Sequence, residues 1–180
     1  MGNVLPLIRA VPFSSERPGG PIALDMVEAP AVRAGIGYWK RLCGQRKFPS
    51  RSEVTPRDIL GLLRNTVLLR VIDDGSDYEY RIVGDAHVIA HGFSAQGMRL
   101  SDLDSMTNGY GKILKGLYDQ PVRTAAPLAL RGWISKGEDE SEFIYSESVF
   151  LPLGADEAVV DHVLNFSVYV PHPAKAVLSA

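Results

Sequence analysis

The hydrophobic period of this chain changes twice, and that change limits the fold more than any single motif. Residues 66–72 (TVLLRVI) are rich in β-branched side chains, and residues 78–83 (YEYRIV) place Tyr78, Tyr80 and Ile82 on one face. The cluster Asp73-Asp74-Gly75-Ser76-Asp77 between them reads as a turn, so the two runs predict an antiparallel hairpin. Helical spacing follows. Residues 85–91 predict a short helix broken by Gly92, and Ser101 can cap another short piece around Leu103. A longer helix over residues 107–119 uses Tyr110, Ile113, Leu114 and Leu117, weakened by Gly109, Gly111 and Gly116. Period two then returns in residues 122–133, 143–153 and 158–170, separated by the turns SKGEDESE and Gly154-Ala155-Asp156-Glu157. The last run sets Val160, His162, Leu164, Phe166, Val168 and Val170 on one face and Asp161, Asn165 and Ser167 on the other. One side is therefore expected in the core and the other in a wetter setting.

Two helices are expected ahead of the hairpin. Pro30 suits a first helical turn, Val32, Ile36, Trp39 and Cys43 recur at helical spacing, and Gly44 is a natural stop. Thr55-Pro56-Arg57-Asp58 has the form of a second helix start, with Ile59, Leu62 and Leu63 facing the core. Residues 1–25, rich in Pro, Gly and Ser, read as a flexible arm, residues 26–64 as the leading helices, residues 65–170 as the core and residues 171–180 as a tail. This element order predicts an α+β fold in which a five-stranded antiparallel sheet carries short helices on one face.

Composition removes several classes. The 180 residues hold a single cysteine, Cys43, so no intrachain disulfide forms and a reducing compartment is expected. A net charge of -2 argues against a general nucleic-acid binder. No apolar run nears the ~18 residues that a membrane-spanning helix needs, so no membrane insertion is expected. The leading segment shows no secretory pattern, and Pro6 stands where a myristoylation signal wants Ser or Thr. A cytoplasmic protein is the expectation.

The element order resembles the PAS fold, and the residues after the hairpin strengthen the likeness. Many PAS domains follow a strand with a helix, then Gly-aromatic-Ser, then a second Gly leading into a Leu-Asp-Leu stretch. Here the run is Gly84-Asp85-Ala86-His87 to His91, then Gly92-Phe93-Ser94, then Gly97 and Leu100-Ser101-Asp102-Leu103. Gly84-Asp85 replaces a frequent Asn-Pro. The chain also resembles a bacterial family of small stand-alone PAS proteins, through Tyr38-Trp39-Lys40-Arg41-Leu42, Phe48-Pro49-Ser50-Arg51, Asp58-Ile59, Leu62-Leu63 and Tyr80-Arg81-Ile82-Val83-Gly84. The likeness runs from about Tyr38 to Val170. It implies a regulatory or adaptor module, too short to carry a kinase or cyclase, that senses a small molecule or mediates protein contacts. It also bears on cofactors. Flavin-type photochemistry in PAS relatives uses a cysteine in the central helical region, and Cys43 lies in the leading helix, so no covalent flavin is expected. Haem-binding relatives supply His from the long helix, and residues 107–119 contain none, so no standard haem is expected.

Several side chains are candidates for chemistry. His87 and His91 are spaced i,i+4 and share a helix face, which suits polar lining of a pocket or surface hydrogen bonding. No third ligand completes a metal site nearby, so no metal is expected. His162 sits in an apolar row and needs a partner, from protein, water or ligand. Tyr145 and Glu147 share a face of the preceding strand and can reach the same cavity or only a sheet surface. With Tyr110 these form the expected ligand pocket: His87, His91, Tyr110, Tyr145, Glu147 and His162. Tyr38, Trp39 and Leu42 on the leading helix are the expected interface with a signalling partner or a second copy in a homodimer, or else pack within the monomer. Neither a nucleophile elbow nor GxGxxG nor GxxxxGK[ST] occurs, so no catalytic residue is assigned and no enzyme is expected. The competing reading is a small α+β enzyme or lipophilic-ligand carrier with a cone-shaped cavity. Its candidate dyad is Asp161 and His162, although neighbours on a strand point to opposite faces.

Overall fold

The computed structural model describes residues 19–107, 109–134 and 144–171. The arm before residue 19, the SKGEDESE turn and the tail beyond residue 171 lie outside them. In chain order the elements are β1 (Gly20–Ile22), α1 (Pro30–Cys43), β2 (Thr66–Ile72), β3 (Asp77–Val83), α2 (Asp85–His91), α3 (Leu100–Met106), α4 (Tyr110–Thr124), β4 (Leu128–Ile134), β5 (Ile144–Leu153) and β6 (His162–Pro171). The strands form one six-stranded antiparallel sheet in the order β1-β4-β5-β6-β2-β3. Five of these are the expected strands. The sixth, β1, comes from the segment expected as an arm and pairs Gly20 with Arg131 and Ile22 with Ala129.

The β2–β3 turn draws on its composition. Asp73, Asp74 and Gly75 all have positive φ, at 40°, 54° and 93°, a conformation that Asp and Gly tolerate best. Two other expectations shift. α4 does not end near Asp119 but runs through Pro121 to Thr124, so Val122 and Thr124 belong to a helix and β4 starts at Leu128. Leu114, Tyr118 and Pro121 are all buried, and this continuous apolar stripe offsets the hydrogen bond that Pro121 cannot donate. β6 starts at His162 rather than near residue 158, because Asp156 Oδ1 accepts the N–H groups of Ala158 and Val159 at 3.0 and 3.2 Å and bends the chain there. The expected second helix is also shorter. Thr55 does cap Asp58, but Leu60–Asn65 is a 3-10 turn. Ser101 lies inside α3, and its hydroxyl donates to Asp77 at 2.6 Å.

Strand register sorts the side chains onto two faces. On the outer face Glu147 pairs with Val168, Val149 with Phe166 and Leu151 with Leu164, and α1 covers them. α1 approaches so closely that a Cβ on Gly35 would sit 2.3 Å from the Phe166 ring. On the inner face Ser146 pairs with Tyr169, Ser148 with Ser167 and Phe150 with Asn165, beneath the short helices. Tyr118 of α4 meets the Phe150 ring edge-on at 5.0 Å. Both faces are buried, so neither row of β5 or β6 is a solvent row.

Candidate functional site

The inner face joins a polar row to an aromatic cluster. Ser148 and Ser167 share a hydrogen bond of 2.7 Å, and Ser167 Oγ donates to Asn165 Oδ1 at 2.8 Å. One hydroxyl has one proton, so Ser148 is the donor to Ser167. Asn165 Nδ2 donates to the Val149 carbonyl at 3.0 Å, which closes the row on backbone. Beside it, α2 turns its first and last turns inward. The rings of His87 and His91 stand 4.1 Å apart, and His87 Nδ1 shares a 2.5 Å hydrogen bond with the Tyr169 hydroxyl. His91 also meets Tyr169 at 5.5 Å and Tyr110, the first residue of α4, at 5.7 Å. Tyr80 of β3 closes the cluster at 6.2 Å from His87. Burial raises the pKa of the Tyr80, Tyr110, Tyr118 and Tyr169 phenols, which keeps all four neutral. The Tyr110 hydroxyl is buried and, among the described residues, has no hydrogen-bond partner.

The outer face carries a charged clamp. Arg131 of β4 is 4% exposed and Glu147 of β5 fully buried, and Arg131 donates two hydrogen bonds to Glu147 Oε2 at 2.8 and 2.6 Å. Glu147 Oε1 accepts the N–H groups of Glu28 and Ala29 at 2.9 and 2.6 Å, while Arg131 also donates to the Met26 carbonyl at 2.8 Å. The start of α1 is thus bolted to the middle of the sheet. Burial is the largest single influence and works against the Arg131 charge, but the bonds to Glu147 together with the negative charges of Glu147 and Glu28 outweigh it, and its pKa ends above the ordinary value.

The residues expected to share one pocket therefore divide. His87, His91 and Tyr110 come together on the inner face. Tyr145 and Glu147 lie on the outer face, in register with Val170 and Val168. His162 is on that face too, at the strand's start, where its side chain is 19% exposed rather than in the core. Its Nδ1 meets Asp161 Oδ1 at 2.6 Å, which corrects the expectation that these neighbours diverge: Asp161 precedes the strand and is free of its alternation. Among the described residues that is the one hydrogen bond the His162 ring makes, and no nucleophile reaches it. Near it, an open cleft of about 360 Å³ is lined by Asp73, Asp74, Val122, Val160 and Asp161 among others. Tyr38 and Trp39 are buried in their own chain, and the Trp39 indole donates to the Pro152 carbonyl at 2.9 Å. They anchor α1 to its sheet, which is the second of the two roles expected of them, packing within the monomer, while Leu42 is half-buried.

Sequence reasoning missed Tyr80, Ser148, Asn165, Ser167, Tyr169 and Arg131 as site residues. A signal was present, since Ser146, Ser148, Asn165 and Ser167 form alternating polar rows in two central strands. Asn165 and Ser167 stand on the face of the last strand expected to be the wetter one, and that expectation hides the row. Among the described residues no group of three or more His, Cys, Asp or Glu could hold a metal ion. No described helix is long and apolar enough to cross a membrane.

No curated protein matches the chain. The family model described as PAS domain matches residues 27–164, a span that starts just before α1 and ends in β6. With a five-strand antiparallel core, short helices over its inner face and that match over more than two thirds of its length, the chain belongs to the PAS domain family.

Proposed function

We propose that this PAS domain is a non-enzymatic sensory or regulatory module that takes up a small molecule on its inner face and signals through α1. The observation that carries the reading is the division of labour within β5. Ser148 belongs to the inner polar row, and its neighbour Glu147 grips the start of α1 on the outer face. A change in strand twist beneath a ligand reaches α1 through one peptide unit. Signal then leaves through the exposed side of α1, toward a signalling protein or a second copy of the chain in the cytoplasm. Coupling of this kind needs a ligand that binds the two arrangements of α1 unequally.

The test is substitution on one face and observation on the other. Ser148→Val should alter amide hydrogen exchange across residues 30–43 while the sheet amides keep their protection. Unchanged exchange in α1 would sink the coupling. Native mass spectrometry of the purified protein should find a retained small molecule and report the oligomeric mass. The Asp161–His162 contact is the one observation on the side of a small enzyme, and turnover abolished by His162→Ala would favour that reading instead.

A further inference from the structure

We propose that the exposed face of α1 docks into the acidic cleft of a second copy of this chain, with Arg33 and Lys40 reaching Asp73 and Asp74. This rests on the reading that signal leaves through α1, and it names what that helix meets. The starting observation is that the chain carries two surfaces of opposite sign. α1 holds Arg33, Lys40 and Arg41 and no Asp or Glu. Arg33 and Lys40 stand on one side of the helix, about two turns apart. Both are exposed, with exposed Ala34 and half-buried Gly37 between them, so small residues leave the two long side chains standing clear. Among the described residues neither cation makes a hydrogen bond or an ion pair. Arg41 does not reach outward in the same way. Its guanidinium lies over the Tyr38 ring of its own helix, 5.9 Å from the centroid, and Asp58 shares that neighbourhood.

The other surface is the open cleft of about 360 Å³ where the β2–β3 turn, the end of α4 and the approach to β6 meet. Half-buried Val71 and Val122 and buried Val160 line its depth, and exposed Asp73 and Asp74 line its rim. Among the described residues the Asp73 and Asp74 carboxylates bond to no other group. Asp161 is already engaged, by His162 and by the Ala155 N–H at 3.3 Å. The cleft holds less than one turn of a helix about 10 Å across, so it admits long side chains and not a whole helix. Arg and Lys suit such a place, because their aliphatic stems cover apolar surface while their charged heads stay at the wet rim. Charge complementarity selects the occupant. A two-fold contact of α1 against α1 sets cations against cations, with no carboxylate in the helix to relieve them. α1 against the cleft sets cations against carboxylates. Each copy holds both halves, so copies join head to tail.

Sedimentation velocity on the full chain tests the contact. The mass of the parent should rise with concentration at about 25 mM salt and fall back to the monomer at about 0.5 M. One variant, Arg33→Glu with Lys40→Glu, reverses the helix face. Another, Asp73→Asn with Asp74→Asn, neutralises the cleft with a residue that tolerates the positive φ of this turn. Each alone should weaken association at least about tenfold, with melting curves like the parent's establishing that it is folded. An equimolar mixture of the two should regain association as 1:1 pairs that grow no further, since each retains the half that the other lacks. A mixture that stays monomeric while the parent associates would overturn the contact. So would association that salt leaves unchanged, or that survives in either variant. A parent that is monomeric at every concentration would overturn this inference and leave α1 to a different protein, an output that hydrogen exchange across residues 30–43 tests separately.

Discussion

Arg131 and Glu147 show how much one pair of residues can fix. Two charges are removed from water in the middle of a sheet, and each is repaid by several hydrogen bonds: Glu147 accepts from Arg131 and from two backbone N–H groups. Pairs of this kind add little net stability over an apolar replacement, but breaking one alone is expensive. Arg131→Met should therefore cost about 3–5 kcal/mol in urea unfolding, because it strips the buried carboxylate of its cation. Arg131→Met combined with Glu147→Leu should recover much of that loss. A double variant no more stable than Arg131→Met would show that the carboxylate is content with its backbone donors. The sequence offered no way to see this pair: residues 131 and 147 are brought opposite each other only by the β4–β5 register.

Elements were more legible than sites. β2, α2 and the start of α1 lie where their residues predict them, since each has a distinct period and a distinct stop signal. The pattern misplaces the end of α4 because Val122, Thr124 and Ala126 alternate as a strand would. Packing decided that case, through the buried stripe of Leu114, Tyr118 and Pro121. The glycines of α4 also differ in ways that spacing does not reveal. A Cβ on Gly111 would meet the Leu100 carbonyl at 2.3 Å and the Asp104 backbone N at 2.6 Å, whereas Gly116 has nothing within 4 Å. Gly111→Ala should thus wedge α3 from α4 and cost about 1–3 kcal/mol. Gly116→Ala should stabilise by about 0.5–1 kcal/mol through helix propensity. Denaturant midpoints for the two variants should move in opposite directions, and a loss at both would mean that α4 is held by something other than this contact.

Stability against pH belongs to the whole molecule. Burial lifts the Cys43 thiol from its ordinary 9.0 to about 11. Burial also raises the Tyr78, Tyr80, Tyr110, Tyr118 and Tyr169 phenols above their ordinary 10.0, with hydrogen bonding to Asp119 adding to the effect at Tyr78. Each group stays protonated in the fold and ionises earlier in the unfolded chain. Their contribution is thus complete below pH 9 and is lost as pH rises, the thiol's share first. The urea midpoint should fall from about pH 9 upward, and Cys43→Ala should remove only the early part of that fall. A midpoint flat to pH 11 would contradict the burial of these groups. The sequence by itself determined the order of helices and strands, because period and stop signals are local properties of the chain. It also carried the likeness to PAS domains. Only the tertiary structure decided which row of each strand faces which helix. A period of two yields two rows and no preference between them once helices cover both faces of the sheet. That is why Glu147 and His162 fall on the outer face while Ser148, Asn165 and Tyr169 line the inner one.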